Sequence, residues 1–335
     1  MPVRVESAVE ILAGDGLPRA QVVEVQRSRL LAAAVGSLEE VGYARTTVAS
    51  ITDRARLSRR TFYELFANRE ECMVAVLEDV VGAIGEELAA AGLEDMVWRE
   101  RIRGGLWAIL SFLDREPALA RVCVVQALRG GPEVLERRER ILARLAAAVD
   151  EGRMEGARGA QCTSLTAEGL VGAAFTIVYA RLLRGERRPL TDLLGELMGM
   201  IVLPYLGAGA ARRERARSAP AVHTPAPREP ERTAMVTEDP LGGVAMRLTY
   251  RTARVLEGVA DHPGASNRAI SDCAGIRDPG QVSKLLRRLE SLGLLVNSGA
   301  GRIKGEPNAW MLTAKGEQVA RSIRMYRAPD RWRAA

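Results

Sequence analysis

The chain has 335 residues, 47% of them hydrophobic, a length that suggests two or three domains with sizeable cores. No apolar run approaches the roughly 20 residues needed to span a bilayer, and no basic, hydrophobic, small-residue signal opens the chain. The four cysteines, Cys72, Cys123, Cys162 and Cys273, lie far apart without a C-x-x-C pair, which argues against a zinc ribbon or a disulfide framework; a cytoplasmic protein without metal or cofactor is the expectation. The net charge of +6 is unevenly spread: residues 27–69 carry 8 basic and 4 acidic side chains, 70–207 carry 16 and 21, and 241–335 carry 16 and 8. Two nucleic-acid-facing modules around an acidic middle produce this pattern. A general arginine bias produces it too.

In chain order, residues 1–17 are weakly patterned and read as an arm. Pro18 suits the first turn of a helix running through Leu31, Ala34, Val35, Leu38 and Val41 to a stop at Gly42. Two short helices follow. Thr46 and Thr47 open the first, whose Val48, Ile51 and Ala55 recur at helical spacing. Arg56-Leu57 turns the chain. Ser58 caps the second helix, leaving Arg59, Arg60 and Thr61 in a first turn that favours phosphate. Phe62, Leu65 and Phe66 point inward, so Arg59, Arg60, Tyr63 and Glu64 point outward as a recognition helix requires. Asn68-x-x-Glu71 has the form of a capping box for the next helix.

This stretch resembles the TetR family of bacterial regulators, whose DNA-binding end runs R-x-x-I-L-x-A-A, G-Y, T-T-V-x-x-I-A, S-x-x-T-x-Y-x-x-F and N-K-E-E. Arg27, Leu30, Leu31, Ala33, Ala34, Gly42, Tyr43, Thr46, Thr47, Val48, Ile51, Ser58, Thr61, Tyr63, Phe66, Asn68, Glu70 and Glu71 match. Arg56 and Arg60 stand where the family often has glycine, and Leu65 replaces a frequent histidine or tyrosine. The resemblance implies DNA contacts from Thr46, Thr47, Ser58, Arg59, Arg60, Thr61 and Tyr63 in a domain over residues 18–67.

Residues 68–207 are helical in pattern, with six helices expected near 68–91, 94–114, 117–129, 132–155, 163–184 and 189–206. In the TetR family such a body holds an effector pocket, and its last two helices pair with those of a second subunit. Gly169, Gly172 and Ala173, with Leu194, Gly195, Met198 and Gly199, fit such a seam because small residues permit close approach; an intrachain core is the alternative. Trp107, Leu110, Phe112, Val122, Val125, Phe175 and Tyr179 are the bulky candidates for contact with a small apolar or amphipathic effector. With aromatic residues at 4% of the chain, an aliphatic, acyl or small aromatic ligand suits the composition better than a planar cationic drug.

Residues 208–240, rich in Ala, Arg, Pro and Glu, read as a linker. Residues 241–326 then suggest a helix over 246–260, a short helix over 267–274, and a third opened by Asp278-Pro279-Gly280-Gln281. Ser283, Lys284, Arg287 and Arg288 share its outer face. A hairpin of strands 294–297 and 308–312 and a last helix from Thr313 follow, and residues 327–335 form a tail. The order resembles the winged helix-turn-helix of MarR- and PadR-like regulators, which implies that the third helix enters the major groove while Arg302 and Lys304 at the wing meet phosphate or minor groove.

The fold class expected is therefore an all-α N-terminal and central part followed by a small α+β winged-helix domain. The function expected is a homodimeric, ligand-responsive repressor on double-stranded DNA with a near-palindromic operator. The alternative makes the winged domain a protein-docking or dimerisation module and the chain a regulatory scaffold without effector release. Metalloprotease, nucleophile-elbow, phosphate-loop and dinucleotide fingerprints are absent from the sequence. The two histidines, His223 and His262, fall in the linker and at a helix end, poor places for catalysis.

Overall fold

The computed structural model describes residues 18–186, 188–218, 239–299 and 308–326. They divide into two compact units, one built from described residues of 1–32, 52–65 and 233–333, the other from those of 33–51 and 66–232. The arm over 1–17, most of the linker and the tail lie outside the described residues, as do Arg302 and Lys304.

The second unit is helical. After the end of α1 (Arg19–Val41) come α4 (Arg69–Ala90), α5 (Trp98–Arg115), α6 (Pro117–Ala120), α7 (Pro132–Asp150), α8 (Ser164–Arg184) and α9 (Leu194–Ala216). The α4 start follows the expected chemistry: Asn68 Oδ1 accepts from the Glu71 amide at 2.8 Å, and the Glu71 carboxylate accepts from the Ala67 amide. The segment expected as one helix over 117–129 is instead split, with a π-helical turn (Arg121–Val125) and a 3-10 turn (Gln126–Arg129) following α6. Such local rewinding displaces side chains that a regular helix would have aligned.

The linker expected from residue 208 begins later. Pro204 interrupts α9, Gly207 takes φ 81°, and 208–216 fold back as helix on the turns before them. A Cβ on Gly195 would stand 3.0 Å from the Arg215 carbonyl oxygen, and one on Gly199 would stand 2.7 Å from the Arg215 side chain. Glu214 closes the hairpin against α5: its carboxylate accepts from Arg103 at 2.9 Å, with both side chains 3% exposed, and Arg103 also donates to the Arg217 and Ser218 carbonyls. Composition hid this helix because its anchors are mostly ionic, Glu214 with Arg103 and Arg99 and Arg215 with Glu196, and its buried apolar residues are only Ala210 and Ala211. Both α8 and the stretch Leu190–Ala216 are long and apolar enough to cross a membrane by length and composition, against the expectation drawn from unbroken apolar runs. Half of the second is buried in this unit, whereas 11% of the first is, so α8 keeps an open apolar face.

The first unit contains the start of α1, the end of α2 (Val48–Ala55) and α3 (Arg59–Leu65). It also holds α10 (Tyr250–Asp261), α11 (Asn267–Ala274), α12 (Pro279–Ser291), a two-stranded antiparallel ribbon of β1 (Leu295–Asn297) and β2 (Trp310–Leu312), and α13 (Ala314–Met325). Leu295 faces Leu312 and Asn297 faces Trp310 in the ribbon. Asn267 fixes its base, accepting from Trp310 Nε1 at 2.6 Å and from Asn308 Nδ2 at 3.0 Å.

Buried polar side chains of α1 hold the C-terminal segment. Arg29, 2% exposed, places Nε 3.0 Å from Asp239 and donates to the Met246 carbonyl at 2.9 Å and the Val244 carbonyl at 3.2 Å. Burial lowers its pKa and the Asp239 charge opposes that fall. Gln26 donates to the Leu248 carbonyl at 2.9 Å, and Gln21 donates to those of Ile323 and Tyr326 at 2.9 and 3.2 Å. These contacts explain why the helix expected from Met246 starts at Tyr250 with Thr249 as its cap: carbonyls 244, 246 and 248 point at α1 and not along a helix axis.

Arg56, in the turn between α2 and α3, has φ 53°, the one positive φ outside glycine among the described residues. A side chain there costs about 1–2 kcal/mol, so Arg56→Gly is expected to raise the melting temperature modestly in a thermal scan. Glu214→Ala, which strands the buried Arg103, is expected to cost about 3–5 kcal/mol by denaturant titration, with Glu214→Gln costing less.

Candidate nucleic-acid interface and effector cavity

The helix-turn-helix is assembled from local capping. Thr47 and Ser50 exchange hydrogen bonds at the start of α2, the Thr47 amide donating to Ser50 Oγ at 2.9 Å and the Ser50 amide to Thr47 Oγ1 at 3.1 Å. Ser58 caps α3, accepting from the Thr61 amide at 3.0 Å while its hydroxyl meets that of Thr61 at 2.8 Å. Arg59, Arg60 and Tyr63 are exposed, Tyr63 by 58%. Phe62 is fully buried and sets the Tyr63 ring edge-on at 5.5 Å. Arg60 is paired with Glu64 at 2.9 Å across one turn. Thr46 corrects the expectation of a DNA contact: it is 1% exposed, and its hydroxyl donates to the Gly42 carbonyl at 2.9 Å.

Thr46 belongs to a joint that the motif did not reveal. Arg69 donates to the Thr46 carbonyl at 2.7 Å and the Tyr43 carbonyl at 3.2 Å, with its guanidinium 4.3 Å over the Tyr43 ring. The Tyr43 amide donates to Gln126 Oε1 at 3.2 Å, and the Tyr43 hydroxyl accepts from the Gly131 amide at 3.2 Å. Residues 42–46, where the helix-turn-helix begins, are thereby tied to the turn that follows the π-helical segment.

That segment is cavity wall. A cavity of about 620 Å³ lies among α4, α5, α7 and α8, with Cys123 and Val124 on one side, a size within the roughly 300–1,000 Å³ of small-molecule sites. Of the seven residues expected to meet an effector, Leu110 and Phe175 line it; Trp107, Phe112, Val122, Val125 and Tyr179 do not. Phe112 and Val122 are closed core. The wall is mostly aliphatic side chains, many of them on α4, α5 and α7, such as Val81, Ile84, Ile109, Ile141 and Leu142, which carry no bulky signal in the sequence. Burial, reinforced by Asp79, raises the Cys123 thiol to about 12, so it stands in the wall as a neutral, apolar group.

The residues expected at a subunit seam part company. On α8, Gly169, Gly172 and Ala173 are exposed, beside Leu165 at 70% and Leu183 at 55%. On α9, Leu194 and Met198 are buried and Gly195 and Gly199 lie under Arg215 of the same chain. In the C-terminal segment Lys284, Arg287 and Arg288 are exposed on α12. Ser283 is engaged internally, donating to the Pro279 carbonyl at 3.0 Å and accepting from Asn267 at 2.9 Å.

Residues 30–76 match the family described as bacterial regulatory proteins, tetR family. This segment is of the tetR type. The chain is 26% identical over 119 residues to the HTH-type transcriptional regulator HbdR of Aromatoleum sp. (strain CIB), covering 34% of this chain and 51% of that protein; it thus spans about half the length of the curated relative it matches. Among solved structures it is similar to the fatty acid degradation regulator FadR from Bacillus halodurans (19% identity, 54% of this chain, 97% of that chain, TM-score 0.48). It is also similar to FadR from Bacillus subtilis in complex with stearoyl-CoA (18% identity, 52% of this chain, 97% of that chain, TM-score 0.47). The tetR family consists of DNA-binding transcriptional regulators, which act as dimers and respond to small molecules and are not enzymes.

In the tetR-type segment, the surface pair Arg60–Glu64 stabilises the fold by about 0–1 kcal/mol and offsets one cation on the exposed side of α3. Glu64→Gln is expected to tighten binding to random duplex and to steepen its salt dependence by about one counterion, measured by fluorescence anisotropy between 50 and 200 mM salt.

Proposed function

We propose that the protein is a homodimeric, ligand-responsive transcriptional repressor that reads a near-palindromic operator through α3. The observation that carries this reading is the joint of Tyr43, Arg69 and Gln126, which ties the base of the helix-turn-helix to the wall of an apolar cavity. Arg59 and Arg60 read guanine edges or phosphate, and Thr47, Thr61 and Tyr63 set position on the backbone. Ser58 serves as the cap that shapes this turn.

Ligand against Cys123 and Val124 presses on the π-helical turn, whose strained winding has an alternative regular form. A change there moves Gln126 and with it the Tyr43 amide. The start of α4 shifts through Arg69, and the spacing of two heads on DNA no longer matches two half-sites. The second copy is supplied through the open face of α8, where Gly169, Gly172 and Ala173 allow close approach; on α9 the hairpin at Gly207 leaves less of the seam available than the family resemblance implies. The C-terminal segment acts as a winged module whose Lys284, Arg287 and Arg288 add contacts on or beside the same operator. A cytoplasmic location belongs to the same reading.

The test is selection of bound genomic fragments with the full-length protein, followed by binding assays on the recovered sequence. Arg59→Ala is expected to lose about 10–100-fold in discrimination between operator and random DNA, the worth of one bidentate base contact of about 1–3 kcal/mol. Unchanged discrimination in both Arg59→Ala and Arg60→Ala rejects base reading by α3. Charge reversal at Lys284, Arg287 and Arg288 is expected to shorten the footprint and flatten the salt slope, and an identical footprint assigns the winged module to protein docking. Gln126→Ala is expected to keep operator affinity while weakening ligand-induced release.

A further inference from the structure

The cavity is long and its polar groups sit at its ends. On α4 its lining runs from Leu77 to Ala89 and on α5 from Arg101 to Leu113, about 18 Å of helix in each case at 1.5 Å per residue. Phe175 is the one aromatic among the residues that line it. At one end Arg101 pairs with Glu151, near Glu94, so that its charge is matched. At the other end, level with the middle of α4 where the lining of that helix begins and Arg137 pairs with Glu78 at 3.4 Å, stands Arg138.

Arg138 differs from both of these arginines. Among the described residues no carboxylate pairs with it; its buried Nε, like that of Arg137, has no hydrogen-bond partner. Its guanidinium lies 4.4 Å from the centre of the Phe175 ring, and the side chain is half-buried, so the terminal N–H groups stay open to water or to a ligand. Burial lowers its pKa with no acid opposing the fall. A guanidinium takes up a carboxylate through two parallel hydrogen bonds better than any neutral group, and the gain is greatest where water is scarce.

We infer that the cavity takes an elongated aliphatic chain ending in a carboxylate, the carboxylate seated on Arg138 and the chain running between α4, α5 and α7. This rests on the reading of the cavity as the effector site. A compact aromatic ligand would leave much of an 18 Å slot unfilled, and an aliphatic cation would meet Arg138 as a like charge.

The test uses full-length protein, isothermal titration, and three probes below their micelle concentrations: hexadecanoate, hexadecan-1-ol and hexadecanoyl-coenzyme A. Hexadecanoate is expected to bind at least about tenfold more tightly than the alcohol, equivalent to about 1.4 kcal/mol. In Arg138→Met that preference disappears while alcohol binding persists, which shows the cavity intact, and Arg138→Lys restores part of it. Equal binding of acid and alcohol by the unsubstituted protein overturns the inference whether or not the variant folds. So does binding of the coenzyme A thioester in place of the free acid, since the thioester has no carboxylate at the chain end. Hexadecanoate that binds through Arg138 yet leaves DNA affinity unchanged supports this pairing and rejects ligand-controlled release; failure of hexadecanoate to bind rejects the pairing and leaves that control open.

Discussion

Arg69 cannot satisfy its hydrogen bonds without fixing two parts of the chain at once. Its guanidinium covers the Tyr43 ring and binds the carbonyls of Tyr43 and Thr46, while the Tyr43 amide and hydroxyl are held by Gln126 and Gly131. Each group is part-buried and answers to a specific partner, so the joint has few alternative arrangements. A polar network of this sort specifies geometry more than it adds stability. It makes the position of residues 42–46 a function of the turn at 126–131, and that turn is continuous with the wall around the cavity.

Charge buried inside each unit has the same character. Arg29 gathers Asp239 and two backbone carbonyls, and Arg103 gathers Glu214 with two more. Removing one partner leaves an uncompensated ion, whereas apolar replacement of the set need not destabilise. These pairs therefore report which segments must stay together: 239–246 with α1, and the returning helix 208–216 with α5.

The helix-turn-helix was legible because capping is local. Thr47, Ser58 and Asn68 announce helix starts a few residues ahead, and the structure shows each of them engaged as a cap. Most helices of the body were legible from apolar spacing, including the punctuation at Pro117 and Pro132, but the segment over 117–129 is split and the last helix runs from Leu194 to Ala216 in place of 189–206. What spacing could not reveal was long-range. Thr46 is buried because Arg69, 23 residues on, takes its carbonyl; Gly195 and Gly199 are covered because Gly207 reverses the chain. The cavity lining was misjudged in a related way. Size in sequence suggested aromatic residues, yet Phe112 is core, and the space is bounded by ordinary aliphatic residues whose placement depends on how four helices leave a gap.

Gln21 on the first helix holds carbonyls near the end of the last, at sequence separations of 302 and 305 residues. During synthesis these partners emerge in the reverse of the order in which the unit needs them. The front helices leave the ribosome first and wait, with Arg29 and the glutamines of α1 unmatched, until the whole central body has been made. Contacts of such separation carry a large loop-closure cost and form late. The unit that holds α3 thus closes only after residues 323–326 have been made, and a chain cut short before them is born with that unit incomplete.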